Sequence, residues 1–141
     1  MTLDEMKEFQ KTLDNIKPKQ HHGDEEHRIQ KSCVRWFRLQ YPQMANLLFA
    51  IPNGGARSKR EGGVKKAEGM TAGVSDLILL RSNKQFGALC IEMKTKDGKQ
   101  SESQKKWQKL AEKYGSKYIV CRSLDEFIES INDYLKDIDY G

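Results

Sequence analysis

The chain has 141 residues, with 25 Lys and Arg against 20 Asp and Glu for a formal charge of +5. Its mean hydropathy is -0.79, so one domain with a real core and a densely ionic surface is expected. No apolar run approaches the roughly 20 residues of a membrane span, and MTLDEMKEFQ lacks the apolar stretch of a signal peptide; a cytoplasmic protein with no membrane partner is predicted.

In chain order, residues 1–17 space Leu3, Met6, Phe9, Leu13 and Ile16 at helical intervals, which predicts an amphipathic helix. KPKQHHG (17–23) breaks that pattern at Pro18 and Gly23 and reads as a hinge, dividing the chain into 1–23 and a main domain over 24–141. A helix from about Asp24 to Tyr41 carries Ile29, Cys33, Trp36 and Phe37 as its apolar stripe and ends at Pro42. LLFAI (47–51) reads as a short buried strand. NGGARSKREGGVKKAEGMTAGV follows, with six glycines and Arg57, Lys59, Arg60, Lys65 and Lys66 against Glu61 and Glu68. A loop this long is usually functional or disordered. DLILL (76–80) and ALCIEMK (88–94) are strands joined by SNKQFG in the manner of a hairpin. Ser101 opens a helix through Tyr114, with Trp107, Leu110, Ala111 and Tyr114 facing inward, and YIVC (118–121) is a fourth strand. Ser123 caps a last helix with Glu126 at the capping-box position and Phe127, Ile128, Ile131 and Leu135 facing inward. The order αβββαβα describes a three-strand meander and a crossover helix leading to a parallel fourth strand.

Chemistry concentrates on the central strand pair. Side chains alternate along a strand, so Glu92 and Lys94 share one face while Leu89, Ile91 and Met93 take the other. If DLILL pairs antiparallel with ALCIEMK across a short turn, Asp76 falls beside Glu92 and Lys94. Two neighbouring carboxylates repel unless one is protonated or a cation sits between them. Magnesium suits the second arrangement, since it takes oxygen ligands and keeps waters, and Lys94 is then placed to orient a water or neutralise a phosphoryl oxygen. The competing reading is a solvated Glu-x-Lys patch with Asp76 as a turn residue.

Other residues carry two readings each. Glu26 and Gln30 extend the core-facing stripe of their helix, so Glu26 is either an acid favoured by the helix dipole or one aimed into a site. Gln104 lies in Ser101-Glu-Ser-Gln104, a capping-box pattern, and also on the inward face behind Lys94. The basic glycine-rich loop fits neither phosphate-loop pattern, so no nucleotide cofactor is expected; it suits a polyanionic backbone or a plain solvated surface. Lys96, Lys99, Lys105, Lys106, Lys109 and Lys113 extend the positive charge. His21, His22 and His27 have no matching ligand cluster. Cys33, Cys90 and Cys121 are scattered and odd in number, which suits buried thiols in a reduced cytosol. Trp36 and Trp107 read as core.

Together, Glu26-x-x-Ile-Gln30, Ile51-Pro-Asn-Gly-Gly55, Gly73-Val-Ser-Asp76, Ile91-Glu-Met-Lys94 and Ser101-x-x-Gln104 resemble the VRR-NUC family of the PD-(D/E)XK nuclease superfamily, in order and over roughly residues 24–124. The resemblance implies an α/β fold with an αβββαβ restriction-endonuclease-like core and mixed central sheet, here with an added N-terminal helix. It implies metal-dependent phosphodiester hydrolysis with Glu26, Asp76 and Glu92 holding Mg2+ or Mn2+, Lys94 assisting the water and Gln104 supporting the site. Where the family often has proline before the acid, this chain has Ser75. Stand-alone members are small phage or bacterial proteins, several acting as dimers on branched DNA. The expected activity is therefore a structure-selective endonuclease resolving Holliday junctions as a homodimer, in the host cytoplasm for a phage-encoded chain. A monomeric flap nuclease or a non-catalytic DNA-binding module is the alternative.

Overall fold

Four strands, β1 (Leu48–Ala50), β2 (Leu77–Leu79), β3 (Leu89–Met93) and β4 (Lys117–Cys121), lie side by side in that order. The computed structural model describes residues 2–16, 22–52 and 66–138, without the side chains of 13–16 and 22–23. Most of the predicted hinge, and Arg57, Lys59, Arg60 and Lys65 of the basic loop, fall outside those residues. β1 runs antiparallel to β2 with Phe49 opposite Ile78, and β2 antiparallel to β3 with Leu77 opposite Ile91. β3 runs parallel to β4 with Cys90 opposite Tyr118. The meander and parallel crossover expected from the element order are both present, and the architecture is the predicted αβββαβ core with a mixed sheet.

One sheet face carries the core. Leu77, Leu79, Leu89, Ile91 and Met93 join a single apolar cluster with Cys33, Trp36 and Phe37 of α2 (His22–Gln40) and with Phe127 and Ile131 of α4 (Leu124–Lys136). Burial of such side chains contributes about 1.5–3 kcal/mol each. α4 buries its predicted stripe, together with Leu124 and Tyr134. Its cap is half of the expected box: Ser123 Oγ accepts from the Glu126 backbone N–H at 3.2 Å, while the Glu126 carboxylate accepts from Arg122 N–H at 2.7 Å. Pro42 ends α2 as expected, and its fixed φ then starts a 3-10 helix, Pro42–Leu47, that the apolar spacing did not reveal.

α1 (Leu3–Ile16) is seated on the domain. Met6 is 1% exposed within the core cluster, the Ser32 hydroxyl donates to the Gln10 side-chain oxygen, and Lys7 pairs with Asp125 at 3.2 Å. The helix α3 (Glu102–Lys113) departs from expectation. It buries no residue, and Leu110 and Tyr114 of its predicted inward face are 55% and 76% exposed. It packs on the sheet chiefly over β4, and the far end of the stripe stays open to solvent. Cys33, Cys90 and Cys121 are buried free thiols, and no described helix is long and apolar enough to cross a membrane.

Candidate active site

The opposite face of the same sheet holds the acids. Asp76 lies just before β2, and its carbonyl accepts from Ile51 N–H at 2.9 Å, extending the β1–β2 ladder by one step. The register of β2 on β3, carried the same step further, sets Asp76 across from Glu92. The Asp76 carboxylate is pinned there by the Met93 backbone N–H, which donates to Oδ2 at 2.7 Å. Pleat alternation then puts Asp76, Glu92 and Tyr118 on one face.

Glu92 is an acid with only 2% of its surface exposed. Gln104 Nε2 donates to its Oε1 at 3.1 Å, and Tyr118 Oη donates to its Oε2 at 3.5 Å. Lys94 Nζ stands 3.8 Å from Oε1 with 12% of its side chain exposed. Burial, first, and then the charge of Asp76 and a carboxyl–carboxyl hydrogen bond push the Glu92 carboxyl up to about 8. Lys94 and Tyr118 pull it back only in part. The Tyr118 hydroxyl is pushed up in turn, chiefly by burial, so it stays protonated and able to donate.

Gln104 resolves its two readings by serving both. Its Oε1 accepts from Ser101 N–H at 2.8 Å and its backbone N–H donates to Ser101 Oγ at 3.2 Å, a complete capping box. The same amide's Nε2 is thereby turned toward Glu92. Gly73 locks the neighbouring segment: its φ is +83°, and a Cβ there would lie 2.2 Å from Ser103 carbonyl oxygen. Only glycine tolerates both conditions, so the Gly-Val-Ser-Asp stretch is held against the first turn of α3. Ser75 is fully buried and donates to Leu77 carbonyl at 3.1 Å; its side chain belongs to the fold. Lys66, the described member of the basic loop's five cations, lines an open cleft of about 380 Å³ with Asp76, Ser101 and Gln104.

Three contributors escaped the sequence reading. Tyr118 reaches Glu92, and Gln100 Nε2 in turn contacts Tyr118 Oη at 3.2 Å and Gln108 Oε1 at 2.9 Å. Arg122 Nη1 donates to the carbonyls of Thr95 and Gly98, each at 2.7 Å, and holds the turn that follows Lys94. Strand parity was the available signal for Tyr118, since it shares a face with Glu92 once β4 is parallel to β3. Glu26 is in the first half of α2 and partly exposed. Among the described residues no three His, Cys, Asp or Glu side chains form a group able to share a metal ion. His27 is exposed.

The donor set suits a hard divalent cation. Two facing carboxylates beside a single lysine leave one negative charge uncompensated once Glu92 is ionised, a state that burial first and Asp76 second make costly without a cation. Magnesium is commonly held by one or two carboxylates with waters and substrate phosphate completing its shell.

A family model described as the VRR-NUC domain matches residues 12–125. A solved structure described as a VRR_NUC domain protein aligns with a TM-score of 0.72, covering 86% of this chain and 94% of that chain at 24% sequence identity. At that identity the likeness bears on the fold. No curated protein matches the chain.

Proposed function

The chain belongs to the VRR-NUC family of nucleases, and on that premise we propose a divalent-metal-dependent, structure-selective DNA endonuclease that hydrolyses phosphodiester bonds at Asp76, Glu92 and Lys94. The observation that carries this reading is the placement of Asp76 across from a buried Glu92 whose Oε1 is met by both Lys94 and Gln104.

Asp76 and Glu92 are the residues that would hold Mg2+ or Mn2+. Bound there, the cation would supply Lewis-acid polarisation of a phosphoryl oxygen and a water of lowered pKa. Glu92 has to release its proton before it serves as a ligand, and the Gln104 and Tyr118 hydrogen bonds then hold both of its oxygens in one orientation. Fixed partners of this kind typically matter 10–100-fold in affinity or activity. Lys94 places a cation where charge accumulates on the phosphoryl group in the transition state and can orient the attacking water. Lys66, on the cleft wall beside Asp76, attracts the backbone; Arg57, Lys59, Arg60 and Lys65 are proposed to do the same. Glu26 as a further ligand rests on the family resemblance alone.

Holliday junctions are the leading substrate. One such centre cuts one strand, so paired symmetric cuts at a junction require two copies related by a two-fold axis. A monomeric flap nuclease is the rival within enzymes, and a non-catalytic DNA-binding module the rival outside them. Incubation with labelled four-way junctions, flaps and plain duplex, in magnesium or in EDTA, separates the three. Paired symmetric nicks that vanish in EDTA are expected, with a dimeric mass in solution. Absence of cleavage of every substrate in both magnesium and manganese sinks the enzyme reading.

A further inference from the structure

A cavity of about 650 Å³ lies away from the Asp76 cleft, between α2 and β1, an edge strand among the described residues. Its α2 wall presents Lys31, Arg35 and Arg38, spaced by four and then three residues and so on one helical face. Among the described residues no acidic side chain lines it. Arg35 is steadied by α1, its guanidinium lying 4.8 Å from the centre of the Phe9 ring. The β1 wall includes Phe49, 38% exposed, and the α2 wall adds Leu39, 49% exposed.

Phe49 also belongs to the active-site side. It pairs with Ile78, two residues from Asp76, and alternation puts Phe49, Asp76 and Glu92 on the same sheet face. By antiparallel geometry Phe49 is a diagonal neighbour of Asp76, about 7–8 Å away. Among the described residues β1 has no strand on its outer side, so no described strand separates the groove from that face.

We infer that this groove is the seat of a nucleic-acid strand with an unstacked base: the backbone runs along Lys31, Arg35 and Arg38, and the base stacks on Phe49 beside the phosphate presented to Asp76. The inference rests on the nuclease reading above and deepens it, assigning selectivity to unpaired nucleotides at branch points. The chemistry is that of sequence-tolerant single-strand binding, in which cations track the backbone and an aromatic face takes the base. Charge decides the occupant: a strand carries phosphates to match three cations with no counter-acid among the described lining residues, whereas a second copy of a chain with a formal charge of +5 brings like charge.

Binding in EDTA, where hydrolysis is withheld, tests this without reference to turnover. With a fluorescently labelled oligothymidylate, Phe49→Ala is expected to weaken binding roughly 5- to 150-fold, the value of one stacked base. Phe49→Trp retains affinity, and its emission is quenched by the bound strand. The double variant Lys31→Glu/Arg38→Glu lowers the slope of log affinity against log salt by about 1.4, at about 0.7 per phosphate lost. Wild-type affinity in Phe49→Ala, an unchanged salt slope, or no binding by the wild type overturns the inference. So does a double variant that binds normally but changes its mass in sedimentation, because the groove is then a contact between copies. Normal junction cleavage with any of those results leaves the nuclease reading standing; intact strand binding by a protein that cleaves nothing leaves the groove and removes that reading.

Discussion

Along β3, Leu89, Ile91 and Met93 project to one side and Cys90 and Glu92 to the other, and all five are closed to solvent. On the first side burial is itself the stabilising force, and Phe37 and Phe127 complete a layer of apolar contacts. On the second, burial works against Glu92, whose ionised form loses water and faces Asp76. That side is held by directional bonds from Met93 N–H, Gln104 and Tyr118. One pleated strand thus separates two tasks with no change of backbone. The apolar side supplies the stability that the acidic side consumes.

The largest effect expected of this division is in activity without loss of fold. Asp76→Ala should lower cleavage by about 10³-fold or more, while thermal unfolding in EDTA above pH 8, where Glu92 is ionised, gives a melting temperature close to wild type, because relief of charge repulsion offsets the lost Met93 N–H bond. A marked drop in melting temperature would mean that the acids are structural. The mirror-image substitution is Ile91→Ala, expected to cost about 2–5 kcal/mol in urea unfolding. Metal affinity of whatever remains folded should be normal.

Third is the pH dependence of the metal-free protein. The folded Glu92 carboxyl lies near 8 and its ordinary value near 4.5, so between those limits the folded state binds more protons than the unfolded one. Stability must therefore fall as pH rises from about 5 to 8, by on the order of a few kcal/mol. Glu92→Gln should flatten that slope; an unchanged slope would place the titrating group elsewhere. Gln104→Ala removes both a helix cap and a Glu92 partner, and should cost about 1 kcal/mol of stability and roughly 10–100-fold in manganese affinity measured by calorimetry. Tyr118→Phe is the mildest, deleting one 3.5 Å contact with a loss near the lower end of that range.

Much of the site was legible because period-2 alternation is a rigid rule. Glu92 opposite Asp76, with Lys94 beside it, follows from strand parity and a hairpin without tertiary knowledge. Tyr118 obeys the same parity, but its role depended on knowing that β4 adds next to β3. Helical periodicity is less informative. It placed Leu110 and Tyr114 on one stripe of α3, yet how far that stripe is covered depends on the extent of the sheet beneath it. Glu26 shows the same limit, since a stripe on α2 does not say where its first turns stand relative to β2 and β3. The groove under β1 was not legible at all, because it arises from the spacing between two elements.

Gln104 has a consequence for how the enzyme fails. Its one side-chain amide helps close the first turn of α3 and orients Glu92, so the least stable part of that helix and the buried carboxylate share a fastening. Helix ends open locally at far lower free energy than the whole domain. Warming should therefore silence cleavage reversibly at temperatures where the apolar core is still intact. In hydrogen exchange the amides of Ser101 and Gln104 should open together, well ahead of those in β3.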